Sequence, residues 1–306
     1  MKELDFIKSV EKMFPARSLG LVKGIGDDCA VIEKDSRTFF VWGADMMVEG
    51  THFTAADGYE RIGRKAVAVN ISDVAAMGAT PKYITVSIGI PPGMSLAKAG
   101  RIYKGIRDIC REYGVSLAGG DTVRSEKIVI DVSILGTVRK SGLVTRSGAR
   151  PGELILITGP VRDGKREHLD FSPRIKESVF LSGKFRPSAM IDVSDGIAMD
   201  IARISDQSGT GCLLYEESIP LAEGLSPEDA LYYGESFELL FTMSAEKASK
   251  LPYYSETTGL AGFFVIGEVT KASLGMRICG ASGKVSKLKI KGYDHLSPGA
   301  KKGEKK

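Results

Sequence analysis

Cysteine and histidine are scarce in this chain, with four cysteines and three histidines among 306 residues. Cys29, Cys110, Cys212 and Cys279 lie far apart and form no C-x-x-C pair, which argues against a zinc site and for free thiols. No apolar run approaches the roughly 20 residues of a membrane span. The opening MKELDFIKSVEKMF carries charges throughout, where a secretory signal would be apolar. A dominant charge is missing too. The formal charge is +4, and the tail 299–306 supplies +3 of it through four lysines against one glutamate. The remainder is nearly neutral, so neither a nucleic-acid nor a membrane partner is expected. These absences together predict a cytoplasmic protein with a basic, disordered tail at 299–306.

What the chain does have is ordinary apolar content, 43%, enough for sizeable cores. On a prior of roughly 100–200 residues per domain, its length suggests two domains. Strand-like and helix-like periods alternate. RTFFVWGAD, KYITVSIGIP, VSLAGGD and KIVIDVSILGTV read as strands. YERIGRKAVAVNISDVAAMGA reads as a long helix, and SLAKAGRIYKGIRDICREYG as another, with Ser95 as N-cap and Gly114 just past its end. The turn RSGARPGE, Arg146–Glu153, marks the boundary, and LILITG, AMIDVSD, CLLY, FELLFTM and GFFVIGEV predict strands beyond it, with a helix in GIAMDIARISDQSG. The stretch from LILITG to about Pro187 is poorly patterned. Both halves are α/β in character, which favours layered sheets packed by helices.

The aspartates recur in one kind of setting, after small residues: GIGDDCAV (Asp27, Asp28), WGAD (Asp45), NISD (Asp73), AGGD (Asp121) and IDVSDG (Asp192, Asp195). On the long helix, Ile62, Ala66, Val69, Asp73 and Met77 share a face, so Asp73 falls on an apolar stripe. A buried ionised carboxylate is costly unless paired, hydrogen-bonded or bound to a cation. Asp45 and Asp121 follow β-rich runs and are expected at strand ends, where sites of α/β proteins gather. Asp195, before Gly196, reads by default as a helix N-cap. Asp192 interrupts the apolar run AMIDV. Several acids flanked by small residues describe an oxygen-rich site for hard divalent cations such as Mg²⁺, with glycine backbone N–H groups free to reach phosphate.

One motif misleads. GPVRDGK, Gly159–Lys165, fits the G-x-x-x-x-G-K pattern after a strand. Arg166 stands where that motif needs a hydroxyl, and REHLDFSP is a poor helix, so a phosphate loop is not expected there.

In the same order along the chain, GIGDDCAV, VEGTHF, KAVAVNISDVAAMGATP, AGGDT, TRSGARPGE, IDVSDGIAMDIARIS, GESFELLFT and KGYDH resemble the thiamine-monophosphate kinase family, within the larger group of aminoimidazole ribonucleotide synthetase-like enzymes that use ATP. The resemblance implies two layered α/β domains. Residues 1–148 would bind ATP and magnesium and form a homodimer, and residues 149–306 would complete the site. It implies that Asp28, Asp45, Asp73, Asp121, Asp192 and Asp195 hold several Mg²⁺ ions, with Asp27 as a companion. Gly43, Ala44, Gly120, Asp121, Arg146 and Ser194 would contact ATP as co-substrate, and His52, Glu235 and Tyr293 would hold thiamine monophosphate. The implied reaction moves the ATP γ-phosphoryl group to the acceptor phosphate, giving thiamine diphosphate, with no catalytic group beyond the metal ligands and Arg146. Such a transfer needs alignment and charge neutralisation.

Three departures stand out. GADM (Gly43–Met46) replaces the family's S-T-D-T and loses hydroxyls around Asp45. GESFE replaces G-E-D-Y-E, putting Ser236 and Phe237 beside Glu235. PVRDGKREHLD occupies a stretch where the family carries small residues. The alternative reading is a synthetase- or dehydratase-type relative that uses ATP on a different acceptor.

Overall fold

The computed structural model of the chain describes residues 3–14, 19–162, 168–293 and 296. The tail 299–306 and residues 163–167 of the altered loop lie outside them. Helix α1 (Glu3–Met13) precedes six strands: β1 (Leu21–Lys23), β2 (Ala30–Glu33), β3 (Thr38–Val48), β4 (Thr80–Ile90), β5 (Ser116–Arg124) and β6 (Val129–Arg139). They form one sheet in the order β1-β2-β3-β6-β4-β5. Only β4 and β5 pair in parallel. Helices α2 (Tyr59–Ala76) and α3 (Leu96–Tyr113) pack together. Ser95 caps α3 by accepting from the Lys98 N–H, and Gly114 ends it in a left-handed conformation.

The second sheet takes β7 (Leu154–Thr158), β8 (Ala189–Asp192), β9 (Thr210–Tyr215), β10 (Leu239–Met243), β11 (Phe263–Lys271), β12 (Met276–Cys279) and β13 (Val285–Lys287). Its order is β13-β12-β9-β11-β7-β10-β8. Helix α4 (Ile175–Phe180) runs into a π-turn through Phe185, inside the stretch that lacks a sequence pattern, and α5 (Ile197–Ser208) follows β8. The chain is two α/β halves, as expected. Helix α2 joins them: it covers β3 and β6 and also meets α4 and β8. Its stripe Ile62, Ala66, Val69 and Met77 is buried as the periodicity predicts. All four cysteines are free. Among the described residues no helix is long and apolar enough to cross a membrane.

Two expectations need correction. Asp45 and Asp121 do not end strands. Asp45 pairs with Val132 inside β3, and Asp121 with Ser87 inside β5. Glycine and alanine are poor strand formers alone, yet ladder hydrogen bonds to an already formed neighbour carry the strand through them. Gly120 shows the geometry involved, since a Cβ there would lie 1.8 Å from the Val86 carbonyl oxygen. Only glycine lets β5 approach β4 so closely.

Candidate functional site

A cavity of about 700 Å³ opens where α2, the turn between β1 and β2, and the β8–α5 connection converge. Asp27 and Asp28 occupy that turn, after Gly26 at φ +112°. The two neighbours have different tasks. Asp27 takes a salt bridge from Lys23 at 2.5 Å and accepts the Arg146 backbone N–H at 3.1 Å. Burial and the adjacent Asp28 nevertheless raise its pKa. Asp28 Oδ1 accepts from Arg146 Nη2 at 2.7 Å, while its Oδ2 is buried with no hydrogen-bond partner among the described residues. Arg146 sits in the link between the sheets. Burial disfavours its charge, but Asp28, Asp27 and Asp200 outweigh that and hold it firmly protonated.

Asp28 shares its end of the cavity with Asp73 of α2 and Asp192 at the end of β8. One carboxylate oxygen from each lies within 4.8 Å of the others. Burial first, then the fields of Asp45, Asp192 and Asp28, push Asp73 well above the usual carboxylate range. Asp192 is pushed up the same way by burial and by Asp28, although Ser72 Oγ donates to it at 2.6 Å. Three acids from turn, helix and strand therefore meet, with the Arg146 guanidinium beside them. Such a donor set suits a hard divalent ion.

Asp45 lies next to this group. β2 stops pairing at Trp42, so beyond it that edge of β3 has no strand partner among the described residues, and Ala44 and Asp45 line the cavity there. The Asp45 N–H donates to Asn70 Oδ1 at 3.1 Å. Its carboxylate opens onto the cavity but is walled in by protein. That confinement and the charges of Asp195, Asp28 and Asp131 raise it to about 6. Gly43 packs against Cys29, where a Cβ would come within 3.1 Å of the sulfur.

Asp195 is not the N-cap of α5. Gly196 takes that place, at φ +105°, without a side-chain cap. Arg203, two turns along α5, draws the Asp195 carboxylate to itself at 2.5 Å, and Asp200 accepts the Asp195 N–H at 3.1 Å. Asp200 is fully buried, bonded to Arg203 Nη1 at 2.7 Å, and burial raises it to about 7. Ser194 lines the cavity, and its carbonyl accepts the Glu235 N–H at 2.8 Å.

His52, Glu235 and Tyr293 line the same cavity, with the Tyr293 N–H donating to the Asp195 carbonyl at 3.3 Å. His52 Nδ1 accepts from the Val48 N–H at 3.0 Å. Glu235 and Phe237 have φ of +64° and +52°, strained values for side-chain-bearing residues that cost on the order of 1–3 kcal/mol each. Gly234 makes this turn possible, since a Cβ there would lie 1.9 Å from the Ser194 oxygen. Phe237 stacks on Phe171 with ring centroids 4.0 Å apart. Ser236, the other change in GESFE, is buried and accepts the Arg162 N–H at 3.3 Å. Glu238 is a structural anchor, bonded twice to Arg174 and once to Thr158.

Gly120 and Asp121 do not line this cavity. Asp121, Ser87, Asp131 and Met46 stand opposite one another across four strands and so share one face of the sheet. Asp45 is on the other. Of the phosphate-loop pattern, Gly159 closes against Arg174 and Glu238, and the first helix after it among the described residues starts at Ile175.

Five residues at the site go unnoticed in the sequence: Lys65, Asn70, Asp200, Arg203 and His168. A signal existed for three of them. Lys65 and Asn70 interrupt the apolar surface of α2, and Asp200 sits among Ile197, Ile201 and Ile204. His168 carried none, because nothing local shows that its loop folds back onto α2.

Comparison with known proteins gives the following likenesses. The AIR synthase related protein, N-terminal domain, matches residues 26–138, and the C-terminal domain of the same name matches residues 150–278. A thiamine-monophosphate kinase of Buchnera aphidicola is 31% identical, over 96% of this chain and 98% of its own. That of Escherichia coli strain K12 is 31% identical over 90% and 92%. A solved structure described as AaThiL complexed with AMPPCP and TMP is 28% identical, with a TM-score of 0.84 over 96% of this chain and 97% of its own.

Proposed function

The chain belongs to the thiamine-monophosphate kinase family, and we propose that it transfers the γ-phosphoryl group of ATP to the phosphate of thiamine monophosphate, yielding thiamine diphosphate and ADP. The observation that carries this reading is the convergence of Asp28, Asp73 and Asp192 in a cavity that His52, Glu235 and Tyr293 also line.

The residues fit magnesium. Their donors are all carboxylate oxygens, and Asp28 Oδ2 is buried without a hydrogen-bond partner among the described residues, as a ligand atom would be. Asp28, Asp73 and Asp192 would hold the metal, and Asp45 and Asp195 flank them closely enough for several ions to be part of the reading. Bound magnesium would supply charge neutralisation as two anions approach. The protein's own work is alignment for in-line attack. The acceptor phosphate is largely ionised near neutral pH, so no general base is required. Arg146 keeps its charge beside Asp28, and the edge of β3 at Ala44 leaves room for phosphates without the family's hydroxyls. Asp27 acts through Arg146, by holding its backbone.

A homodimer belongs to the same reading. The outward face of the first sheet exposes Trp42, Met46, Tyr83 and Val123, an apolar surface that suits a second copy. Asp121 lies on that face and would serve a site only through such pairing. A cytoplasmic location is supported by four free thiols, which suit a reducing compartment.

The test is chromatographic: purified protein, ATP, Mg²⁺ and thiamine monophosphate, with EDTA and no-acceptor controls. Thiamine diphosphate with equimolar ADP, abolished by EDTA, is expected. ATP consumed to free phosphate with no diphosphate product would overturn the kinase reading in favour of a synthetase-type reaction on another acceptor.

A further inference from the structure

The resemblance assigns His52 and Glu235 to the acceptor and says nothing of Lys65, which the structure places between them. Lys65 is 1% exposed, on α2. Its Nζ donates to Glu235 Oε1 at 2.7 Å and to the His52 carbonyl oxygen at 3.2 Å, and lies 2.7 Å from His168 Nδ1. His168 Nδ1 is in turn 3.3 Å from Glu235 Oε2. The partners come from three segments far apart in the chain: the loop after β3, the turn before β10, and the loop after β7. All but His168 line the cavity.

We infer that Lys65 is a positioning residue for the acceptor end of the cavity, setting the Glu235 carboxylate and the His52 loop at a fixed separation, with His168 as the third arm. An ammonium has three tetrahedral donors, so one buried group can tie together a carboxylate, a carbonyl and an imidazole nitrogen. Stability alone is a weak reason to bury it, because an apolar side chain in the same space commonly serves as well. Conformation is a better reason. Glu235 is held at φ +64° and Phe237 at φ +52°, and such backbone persists only where the surroundings over-determine it. The Ser194 carbonyl fixes the Glu235 backbone, and Lys65 fixes its side chain. His168 lies in the REHLD stretch that departs from the family pattern, so the altered loop contributes to this end of the site.

The inference rests on the acceptor binding at that end, and the experiment separates the two ideas. Lys65→Met should raise the KM for thiamine monophosphate about tenfold or more, while affinity for a non-hydrolysable ATP analogue with Mg²⁺ changes less than about twofold. His168→Asn should raise the same KM by less. The chain has only three histidines, so imidazole NMR resolves each, and the His52 and His168 signals should both shift in Lys65→Met. A folded Lys65→Met with unchanged acceptor KM and an unmoved His52 signal would overturn the inference, as would equal losses for acceptor and nucleotide. Should Lys65→Met not fold, Glu235→Gln and His168→Asn decide it, and an unchanged acceptor KM in both overturns it. Should the wild-type protein form no thiamine diphosphate, the functional reading fails, and the imidazole shifts alone decide the positioning role.

Discussion

Arg146 Nη2 lies 2.7 Å from Asp28 Oδ1, and the pair bridges the link between the two sheets and the turn that opens the first. The Asp28 side chain is fully buried and that of Arg146 is 19% exposed. Arg146→Ala would leave the buried Asp28 carboxyl without its cationic partner, which for buried pairs costs on the order of 3 kcal/mol. The loss should appear in urea unfolding without divalent ions and should shrink when Mg²⁺ is added, because a bound cation takes over the compensation. A loss unaffected by Mg²⁺ would separate Asp28 from any metal role.

Asp73 is a carboxylate that the fold tolerates rather than needs. Asp73→Asn should raise the Tm in EDTA near neutral pH, because an amide there needs neither a buried charge nor a proton taken up on folding. It should also lower turnover about a hundredfold or more. Normal turnover with a lowered Tm would mean that Asp73 is a structural acid.

The acidic cluster sets a pH dependence with a definite sign. Asp45 and Asp200 are raised to about 6 and about 7, and Asp73 and Asp192 are raised well above the usual range. Each retains its proton in the folded chain at a pH where the unfolded chain has released it. Their contribution therefore favours folding most below the unfolded value of about 3.9, and is lost as pH rises through the folded values. Divalent ions must displace those protons. The Tm gained by replacing EDTA with Mg²⁺ should be larger at pH 8 than at pH 5.5. A gain that does not depend on pH would place the ion elsewhere.

Val123 is 54% exposed on the outward face of β5. Val123→Asp should leave each chain folded, since that side chain is outside the core, and should convert a dimer to a monomer in light scattering with a parallel loss of activity. An unchanged mass would move the pairing surface away from this sheet.

Much of the fold was legible because it rests on local patterns. The stripe of α2 and the Ser95 and Gly114 caps of α3 are written in neighbouring residues, as are the apolar runs of β6, β7 and β10. β1, β2, β12 and β13 were not legible, because three or four residues are too short to display a period. Helix α4 was hidden because its two buried polar residues, Glu177 and Ser178, break the apolar pattern. The aspartate motifs identified the acids of the cavity but not their division of labour. Adjacent Asp27 and Asp28 look equivalent in GIGDDCAV, yet one is tied to Lys23 and the Arg146 backbone while the other keeps one oxygen without a hydrogen-bond partner among the described residues.

By itself the sequence determined the two α/β halves, the family and the acidic inventory, since each depends on residue type at short spacing. Only the tertiary structure decided which acids meet. It brings Asp28, Asp73 and Asp192 within 4.8 Å of one another, sets Asp121 on the far side of the sheet from Asp45, and draws His168 across 103 positions to Lys65. The physical reason is strand order and burial. A carboxylate's partners are fixed by which strands pair and which face is covered, and neither is encoded at the range where sequence patterns repeat.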